Sequence, residues 1–456
     1  MASNTVNRCS APASTCPVTS RGALTELRPR SRVEPLGSRR KALVFHRFVL
    51  RSLPACLDEI PGRFSSSLPP PSFARGRFAT IFSSTGAAPP RPRCAAGAVR
   101  RVAIIGSGIS GLAVAHGLQG QANVTLFEAG NYFGGHTHTV DVTLDGHTHG
   151  VDTGFLVLNE RTYPRLLKLF ERLGVEIAPS DMSFSVQVPD IGLEWSGSDL
   201  SSVFAQRSNL FKPRFWRMLR DILRFNKLTT AIASSGSEAQ MVQPIADFLA
   251  HHGFSDEFRD WYFLPMIGCI WSCPTDQMLR FPVATLIRFC HNHGLIQVAN
   301  RPQWFTVRGG ARQYVEKIVA GVPDARLNSP VRSVKRAPAG SGAAGTWVAT
   351  DRGSERFDEV VFACHSDQAL ALLSDASEAE RSVLGAIRYQ PNRAVLHTDR
   401  SVLPRRERAW ASWNYERAAD GDREQARVCL HYLLNRLQPL PFTTPVVVSL
   451  NPVTEP

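Results

Sequence analysis

Short apolar runs and a helix-forming stretch alternate just beyond residue 100. Val102–Ile105 and Val124–Phe127 are largely apolar and only four residues long, which is typical of strands buried on both faces of a parallel sheet. Between them, the sequence LAVAHGL (112–118) predicts a helix. We therefore expect an α/β fold whose folded part begins with a strand, a helix and a second strand.

The next segment alternates polar and apolar residues around Asp145-Gly146, a dipeptide typical of two-residue hairpin turns. A turn there predicts four facing pairs: Leu144–His147, Val142–His149, Val140–Val151 and His138–Thr153. Because side chains alternate between the faces of a hairpin, four histidines share one face. They are His136, His138, His147 and His149.

This histidine face does not have the spacing of a metal site. Four residues separate His138 from the level of His149, which is roughly 13 Å at ~3.3 Å per residue. The ligands of a single zinc ion lie only about 2 Å from it. We therefore expect no metal ion at these histidines or elsewhere, and a cofactor contact or a packing role for His136.

Four later stretches have patterns of their own. Residues 212–227 combine apolar positions at helical spacing with six basic residues, which predicts an amphipathic helix that either packs on its own domain or rests on an anionic membrane. TVRGGARQYVEKIVAGV (306–322) predicts a glycine turn and a helix. ARLNSPVRSVKR (325–336) predicts a strand, and DEVVFACHSDQALALL (358–373) a strand, a turn at 365–367 and a helix.

Charge separates residues 1–99 from the rest of the 456-residue chain. This leader has fifteen basic and four acidic residues, which leaves 37 basic and 35 acidic residues in the remainder. The high pI therefore gives no support for nucleic-acid binding by the folded part. An Arg- and Ser-rich, acid-poor leader predicts a plastid transit peptide; a mitochondrial signal, a disordered tail or a wrongly assigned start stay open. No run approaches the ~18 apolar residues of a membrane span.

The turn after the first strand is G-x-G-x-x-G. Gly106 permits the tight turn, Gly108 allows the backbone to approach a pyrophosphate, and Gly111 allows the helix to pack on the strand. The helix amino terminus presents N–H groups to the phosphates. Glu128 ends the second strand, where an acid would bind the hydroxyls of an adenosine ribose.

The residues just beyond Glu128 favour FAD over NAD. A glycine pair, Gly134-Gly135, comes six residues later and resembles the extended signature of glutathione-reductase-type and amine-oxidase-type flavoproteins. The residues expected to bind FAD are Gly106, Ser107, Gly108, Ile109, Ser110, Gly111, Glu128, Gly134, Gly135, His136 and Thr137.

Longer motifs resemble one family of amine-oxidase-like FAD oxidoreductases, whose members often lie beside cyclopropane-fatty-acid synthases or are fused to them. The motifs are VDTGFLVLNERTYPRLLKLFERLGV, DMSFSV, LEWSG, LPMIGCIWSCP, NHGLIQVANRPQWFTVRGG and YQPNRAVLHTD. The resemblance runs from Arg101 to Pro456 and extends more distantly to phytoene desaturases, monoamine oxidases and polyamine oxidases. It implies a Rossmann-like FAD domain (100–190 and 300–370) interleaved with an α+β substrate domain (191–299 and 371–456). It also implies that the Val331 backbone contacts the adenine.

The resemblance implies hydride transfer to FAD from a C–H bond of a hydrophobic substrate, such as a fatty-acyl or isoprenoid chain. Two alternatives stay open: an amine oxidase proper, and a non-catalytic partner of a lipid-modifying enzyme such as a cyclopropane-fatty-acid-synthase-like methyltransferase. Contact with a membrane surface is compatible with each of these functions.

Spacing identifies no catalytic base. His136, Trp304 and Asn414 are candidate pocket residues, each with a structural role as the alternative, and CHNHG (290–294) and CIWSC (269–273) are weak candidates for ligand sets. Family members normally continue with a strand, a Gly-rich turn and a helix against the isoalloxazine. The sequence ends without a counterpart, so we expect either that it is a truncated gene model or a fragment, or that the protein lacks part of its flavin site.

Overall fold

The computed structural model describes residues 99–235, 242–272, 275–296, 301–337, 345–417 and 428–456. The predicted transit peptide and Cys273 lie outside the described residues. None of the described helices is both long and apolar enough to cross a membrane.

The described elements follow the alternation expected of an α/β chain. The strands are β1 (Arg101–Ile105), β2 (Asn123–Phe127), β3 (Thr139–Leu144), β4 (His147–Asp152), β5 (Leu158–Asn159), β6 (Ile177–Ser180), β7 (Phe184–Val188), β8 (Leu193–Ser196), β9 (Trp304–Val307), β10 (Asp324–Arg326), β11 (Val331–Arg336), β12 (Thr346–Thr350), β13 (Gly353–Phe357), β14 (Glu359–Phe362), β15 (Ala394–His397), β16 (Trp413–Arg417), β17 (Val428–Leu433) and β18 (Val447–Leu450). The helices are α1 (Ile109–Gly117), α2 (Pro164–Leu173), α3 (Leu200–Val203), α4 (Pro213–Ser235), α5 (Ile245–His251), α6 (Asp256–Phe258), α7 (Leu264–Trp271), α8 (Thr275–Leu279), α9 (Val283–Asn292), α10 (Arg312–Val319), α11 (Ser366–Leu372), α12 (Glu378–Leu384) and α13 (Leu434–Leu437).

A four-stranded parallel sheet, in the order β10-β2-β1-β14, carries the glycine-rich turn. Its two central strands, β1 and β2, are buried on both faces beyond their first residue, which explains why they are largely apolar. In β1, Ile104 packs with α1 and α10 on one face, while Ile105 packs on the other face with Phe357. The predicted α/β class is confirmed.

A six-stranded mixed sheet, in the order β15-β18-β17-β16-β7-β8, forms the second large layer. Helices α4 to α9 pack against it through an aromatic core that includes Trp195, Phe215, Phe225 and Phe258. Two small three-stranded sheets, β11-β12-β13 and β5-β9-β6, and the hairpin β3-β4 complete the described sheets.

The hairpin register is the predicted one. Val140 pairs with Val151, Val142 with His149 and Leu144 with His147. Beyond the strand ends, the Nδ1 atom of His138 lies 2.8 Å from the Oγ1 atom of Thr153. The pattern of alternating residues around Asp145-Gly146 was therefore sufficient to fix the pairing.

Two sequence-based element predictions were wrong in detail. Residues 325–336 are not one strand: β10 ends at Arg326, and β11 begins at Val331 in another sheet. Asn328 between them has a φ of 48°, and Pro330 cannot donate a ladder hydrogen bond, so the chain turns there. Helix α11 begins at Ser366, inside the stretch predicted as a turn, because His365 serves as its N-cap.

The pairing of β7 bears on the predicted domain boundary at residue 190. Strand β7 pairs with β16 and β8, so the six-stranded sheet already begins at Phe184. At the other end, Leu373 bridges to Val334 of β11, next to the parallel sheet. The division into an FAD domain and a substrate domain stays a prediction.

Candidate active site

The turn between β1 and α1 depends on a close backbone approach. The amide of Gly106 donates to the carbonyl of Phe127 at the end of β2, over 2.9 Å. A Cβ on Gly111 would lie 2.0 Å from the carbonyl oxygen of Gly106 and 3.2 Å from the Cβ of Ala363. Only a glycine lets α1 start this close to the end of β1.

The glycine pair packs directly on this turn. The Gly134 amide lies 3.1 Å from both the carbonyl oxygen and the hydroxyl oxygen of Ser107, and Gly134 forms an isolated bridge with Gly108. Gly134 has a φ of 125°, which L side chains rarely adopt. We call Gly106–Gly111, Glu128 and Gly134–Thr137 together the glycine crevice.

Glu128 joins the two edges of this crevice. One carboxylate oxygen accepts hydrogen bonds from the Ser107 amide (3.1 Å) and hydroxyl (2.5 Å), and the other accepts from the Gly130 amide (2.8 Å). The carbonyl of Glu128 also accepts from the amide of Ser329, over 2.8 Å. This last bond brings the start of β11 beside the acid, and Val331 packs there with Phe127.

Open space lies over the middle of the glycine crevice. A Cβ added to Gly108 would meet no heavy atom within 4 Å, in contrast to the crowded Gly111. Ile109 and Ser110 form the exposed first turn of α1. An open backbone surface at a helix amino terminus is the arrangement that holds the phosphates of a dinucleotide.

The four histidines of the hairpin have different neighbours. The ring of His136 faces His365 at 6.1 Å, and the ring of His365 stacks on Tyr389 at 4.2 Å. His138 lies against Tyr132, at 4.5 Å between ring centroids. His147 contacts its own turn, with its Nδ1 atom 2.9 Å from the Asp145 carbonyl oxygen, and His149 faces Phe442.

Asp152 at the end of the hairpin is a buried carboxylate that sequence inspection did not single out. It accepts hydrogen bonds from the Thr139 hydroxyl (2.5 Å), the Ala311 amide (2.9 and 3.0 Å) and the Gln438 side-chain amide (3.0 Å). Burial raises the pKa of Asp152 to about 6, although the hydrogen bonds from Thr139 and Ala311 act in the opposite direction. The carboxylate thus fastens the hairpin to the start of α10 and to the segment after α13.

A large pocket of about 960 Å³ lies between α4, α7 and the six-stranded sheet. We call it the aromatic pocket, after the aromatic and apolar side chains that form most of its wall, among them Phe184, Trp195, Leu219, Tyr262, Met266 and Trp304. Its size and composition are those of a site for a small, mainly apolar ligand.

The aromatic pocket contains two buried polar atoms without a protein partner, Asn226 Oδ1 and Trp413 Nε1. Such atoms are costly in a folded protein unless a ligand or solvent completes them. Trp304 lies on β9, whose backbone pairs with β5 at Asn159, so the pocket wall is tied to the glycine crevice through β5. The chain just before β5 bonds to the crevice, through the Phe155 amide and the His136 carbonyl oxygen at 2.9 Å.

The comparisons with known proteins agree with this geometry. The sequence profile of the family described as "Flavin containing amine oxidoreductase" matches residues 109–422. The chain belongs to this family. A comparison with curated proteins finds no match.

The solved structures that this chain resembles include enzymes named for different activities. A fatty acid isomerase from P. acnes that produces CLA is similar at 16% identity, over 78% of each chain, with a TM-score of 0.52. Cyclohexylamine oxidase from Brevibacterium oxydans IH-35A is 19% identical over 78% of this chain and 75% of its own, with a TM-score of 0.51. Wild-type putrescine oxidase bound to putrescine is 17% identical over 78% and 76%, also with a TM-score of 0.51. At these identities the likeness shows the fold alone.

Membership in the flavin-containing amine oxidoreductases makes the protein an FAD-dependent oxidoreductase. The residues present fit this cofactor. The space over Gly108 has room for a pyrophosphate, and Glu128 lies at the end of β2, where an adenosine ribose is bound in dinucleotide folds. The predicted family and cofactor are therefore confirmed.

The remaining candidate residues divide between the pocket and the protein interior. Trp304 lines the aromatic pocket. Asn414 is fully buried and bonded to protein on both sides of its amide: its oxygen accepts from Ser185 and Ala411, and its nitrogen donates to Ala411 and His431. It is a structural residue outside the pocket wall.

The two histidines of CHNHG have separate surroundings. His293 lines the pocket, where its ring stacks on Phe289 at 3.9 Å, and its Nδ1 atom lies 2.9 Å from the Phe289 carbonyl oxygen. His291 occupies the last turn of α9. The motif is therefore explained by packing at the end of a helix.

Proposed function

We propose that the protein binds FAD in the glycine crevice and oxidises a C–H bond of a fatty-acyl chain held in the aromatic pocket. FAD held by the residues of the glycine crevice would supply the redox chemistry, as a hydride acceptor that dioxygen or a quinone reoxidises. The chain supplies a dry cavity that orients the substrate and excludes water. The observation that carries the proposal is the wall of the aromatic pocket.

The charged residues of this wall favour an anionic substrate over an ammonium ion. Arg220 and Arg301 line the pocket, and the acidic residue in its wall is Asp181. The carboxylate of Asp181 already has cationic and hydrogen-bonding neighbours, because it accepts from Ser183 at 2.7 Å and lies 3.5 Å from Arg436. An amine would therefore find little negative charge, whereas a fatty carboxylate would find guanidinium groups.

Arg220 is the arginine better placed to meet a carboxylate from solvent. Its side chain is 74% exposed, and its nearest acidic neighbour is Asp221 at 4.0 Å. Asp221 is itself occupied by Arg224 (3.0 Å) and by the amide and hydroxyl of Ser255. An acyl chain could then lie along the apolar wall with its carboxylate at Arg220.

The mouth of the pocket supports loading from a lipid surface. Leu200, Trp216 and Leu223 belong to the pocket wall and are 79%, 49% and 60% exposed. Phe211, just before α4, is 86% exposed. Exposed apolar side chains on and beside α4, next to its four arginines and Lys227, suit an anionic bilayer, whose headgroups attract the cations while the apolar groups insert.

Anaerobic flavin reduction tests the substrate class. The FAD-loaded protein is mixed with a long-chain fatty acid, a neutral isoprenoid hydrocarbon or a diamine, and the absorbance of oxidised flavin is followed. We expect bleaching by the fatty acid. Bleaching by the diamine alone would make the protein an amine oxidase and overturn the proposal, and bleaching by the hydrocarbon alone would remove the role given to the arginines.

Arg220→Gln tests carboxylate recognition, with Arg217→Gln as its matched control on the same helix. Loss of a charge-assisted hydrogen bond should weaken fatty-acid binding about tenfold. Arg217 faces Glu257 at 3.5 Å and is not part of the pocket wall, so its variant should bind like the wild type. Equal affinities of the two variants would contradict the assigned role.

Vesicle flotation tests the lipid surface. The wild type should float with anionic vesicles and not with zwitterionic ones, and Phe211→Ser should float less. Trp347→Ser is the control, because Trp347 is 45% exposed but lies on β12, outside the pocket wall. Equal loss of flotation in both variants would argue for unspecific adhesion.

A further inference from the structure

A buried cluster of ionisable side chains lies on the six-stranded sheet, outside the wall of the aromatic pocket. Glu416 on β16 and Cys429 and His431 on β17 meet through Glu416 Oε2, Cys429 Sγ and His431 Nε2. The nitrogen lies 3.0 Å from the carboxylate oxygen and 3.4 Å from the sulfur, and the sulfur lies 4.0 Å from the oxygen. Among the described residues, these three form the group of His, Cys and acidic side chains whose ligand atoms all lie within 4.8 Å of one another.

These distances suit a metal ion without rearrangement of the backbone. The triangle that they define has a point about 2 Å from all three atoms, close to the ~2.0–2.2 Å of zinc–nitrogen and zinc–oxygen bonds. Zinc–sulfur bonds are longer, about 2.3 Å, so the thiolate would move by only a few tenths of an ångström. A cysteine, a histidine and a carboxylate are a ligand set that prefers zinc to magnesium or calcium.

The histidine also has the support that a metal ligand needs on its other nitrogen. His431 Nδ1 lies 2.6 Å from the Ser449 hydroxyl on β18, and that hydroxyl lies 2.7 Å from His397 Nε2 on β15. A hydroxyl can accept from Nδ1–H as readily as it can donate, so it permits the tautomer in which Nε2 is free for a metal. Ser449 and His431 are almost fully buried, which fixes the ring orientation.

We propose that Glu416, Cys429 and His431 bind a zinc-type divalent cation, with solvent at the fourth position. Binding would release the thiol proton of Cys429 to solvent and leave the remaining ring proton of His431 on Nδ1, where Ser449 accepts it. The Glu416 side chain is 24% exposed, which gives the ion a path from solvent.

The expected role of the ion is structural. It would fasten β16 to β17 at the residue pair Glu416–Cys429. Side chains alternate along β16, so Trp413 of the aromatic pocket points to the opposite face from Glu416. An ion on one face would thereby stabilise the strand that presents Trp413 on the other.

Metal content of the FAD-loaded full chain tests this site. The protein is dialysed against a chelator, titrated with zinc, desalted and measured for zinc by mass spectrometry. We expect the wild type to retain about one more equivalent than Cys429→Ser or His431→Gln. Cys290→Ser, which removes another buried thiol on α9, should retain as much zinc as the wild type.

Cobalt substitution gives a second measurement that does not depend on a variant. A tetrahedral cobalt–thiolate site in the wild type should show intense d–d bands at longer wavelengths than oxidised flavin absorbs, and Glu416→Gln should weaken them. Zinc retention by the wild type no greater than that of Cys429→Ser overturns the proposal. An octahedral cobalt spectrum of the wild type also overturns the proposal, and this result does not require that any variant folds.

Discussion

In the glycine crevice, all backbone-shaping residues lie between Gly106 and Thr137, whereas the aromatic pocket draws its wall from segments between Ser180 and Trp413. The crevice depends on which residues lack a side chain at fixed spacing. The pocket depends on how large side chains from α4, α7 and the six-stranded sheet meet after folding. The two regions therefore place opposite demands on the sequence.

The two regions differ in how well they tolerate substitutions. One methyl group added at the wrong glycine would enter occupied space in the crevice, whereas the pocket has about 960 Å³ of free space and can vary its wall residue by residue. This explains how one fold can include chains named as a fatty acid isomerase and as amine oxidases.

The largest effect is expected from Gly111→Ala. Its Cβ would lie 2.0 Å from the carbonyl oxygen of Gly106, so either α1 or β1 must shift. We expect a loss of about 4 kcal/mol or more in the free energy of unfolding, together with loss of FAD. Chemical denaturation and flavin content measure this. A variant within about 1 kcal/mol of the wild type would show that the approach is less tight than the structure has it.

Asp152 tests how firmly the crevice side is tied to the C-terminal segment. Its folded pKa of about 6 lies above the ordinary 3.8, so the folded state favours the protonated carboxyl. The corresponding stability is present below pH 3.8 and is lost as pH rises through 6, by up to about 3 kcal/mol. Asp152→Asn is neutral throughout and lacks this loss.

The measurement is urea unfolding of both proteins at several pH values between about 4 and 8. The stability of the wild type relative to Asp152→Asn should fall as pH rises through about 6. A difference that stays constant over this range would mean that the carboxylate remains ionised and that its donors outweigh its burial. Because the other titrating groups are the same in both proteins, their contributions cancel in the difference between the two free energies of unfolding at each pH.

The crevice could be predicted from the sequence because its determinants are local. The glycine spacing, the acid after β2 and the turn at Asp145-Gly146 each fix the backbone within a few residues, and the strand–turn–helix and the hairpin register were both found from them. The separation of β10 from β11 was missed, because the turn at Asn328 interrupts an otherwise strand-like run.

The pocket and the Glu416–Cys429–His431 cluster could not be predicted in the same way. Cys429 and His431 are two residues apart and face one side of β17, but their proximity to Glu416 depends on the register of β16 against β17. The position of Ser449 depends on a third strand, β18. Asn414 shows the converse, since a residue that the sequence offered for the pocket proved to be hydrogen-bonded to Ser185, Ala411 and His431 in the protein interior.

A smaller effect is expected from Gly108→Ala, which separates cofactor binding from folding. The added Cβ meets nothing within 4 Å in the protein, and the φ of −62° is accessible to alanine. The fold should therefore persist while the methyl group occupies the space proposed for the pyrophosphate. We expect at least a tenfold rise in the Kd for FAD, about 1.4 kcal/mol, by flavin fluorescence titration. Unchanged affinity would place the cofactor elsewhere.

The smallest effect is expected from Gly117→Ala, at the other end of the same helix. Gly117 is exposed, and its added Cβ would also meet nothing within 4 Å. Since alanine loses less backbone entropy than glycine in a helix, this variant should gain about 0.5 kcal/mol in the free energy of unfolding and bind FAD normally. Calorimetry of both variants measures the change in the free energy of unfolding, which should be a gain for Gly117→Ala and a loss for Gly111→Ala, six residues away. A decrease in the free energy of unfolding of Gly117→Ala would show that α1 is sensitive to an added methyl group even where no atom lies within 4 Å. The close approach at Gly111 would then not by itself explain the effect of Gly111→Ala.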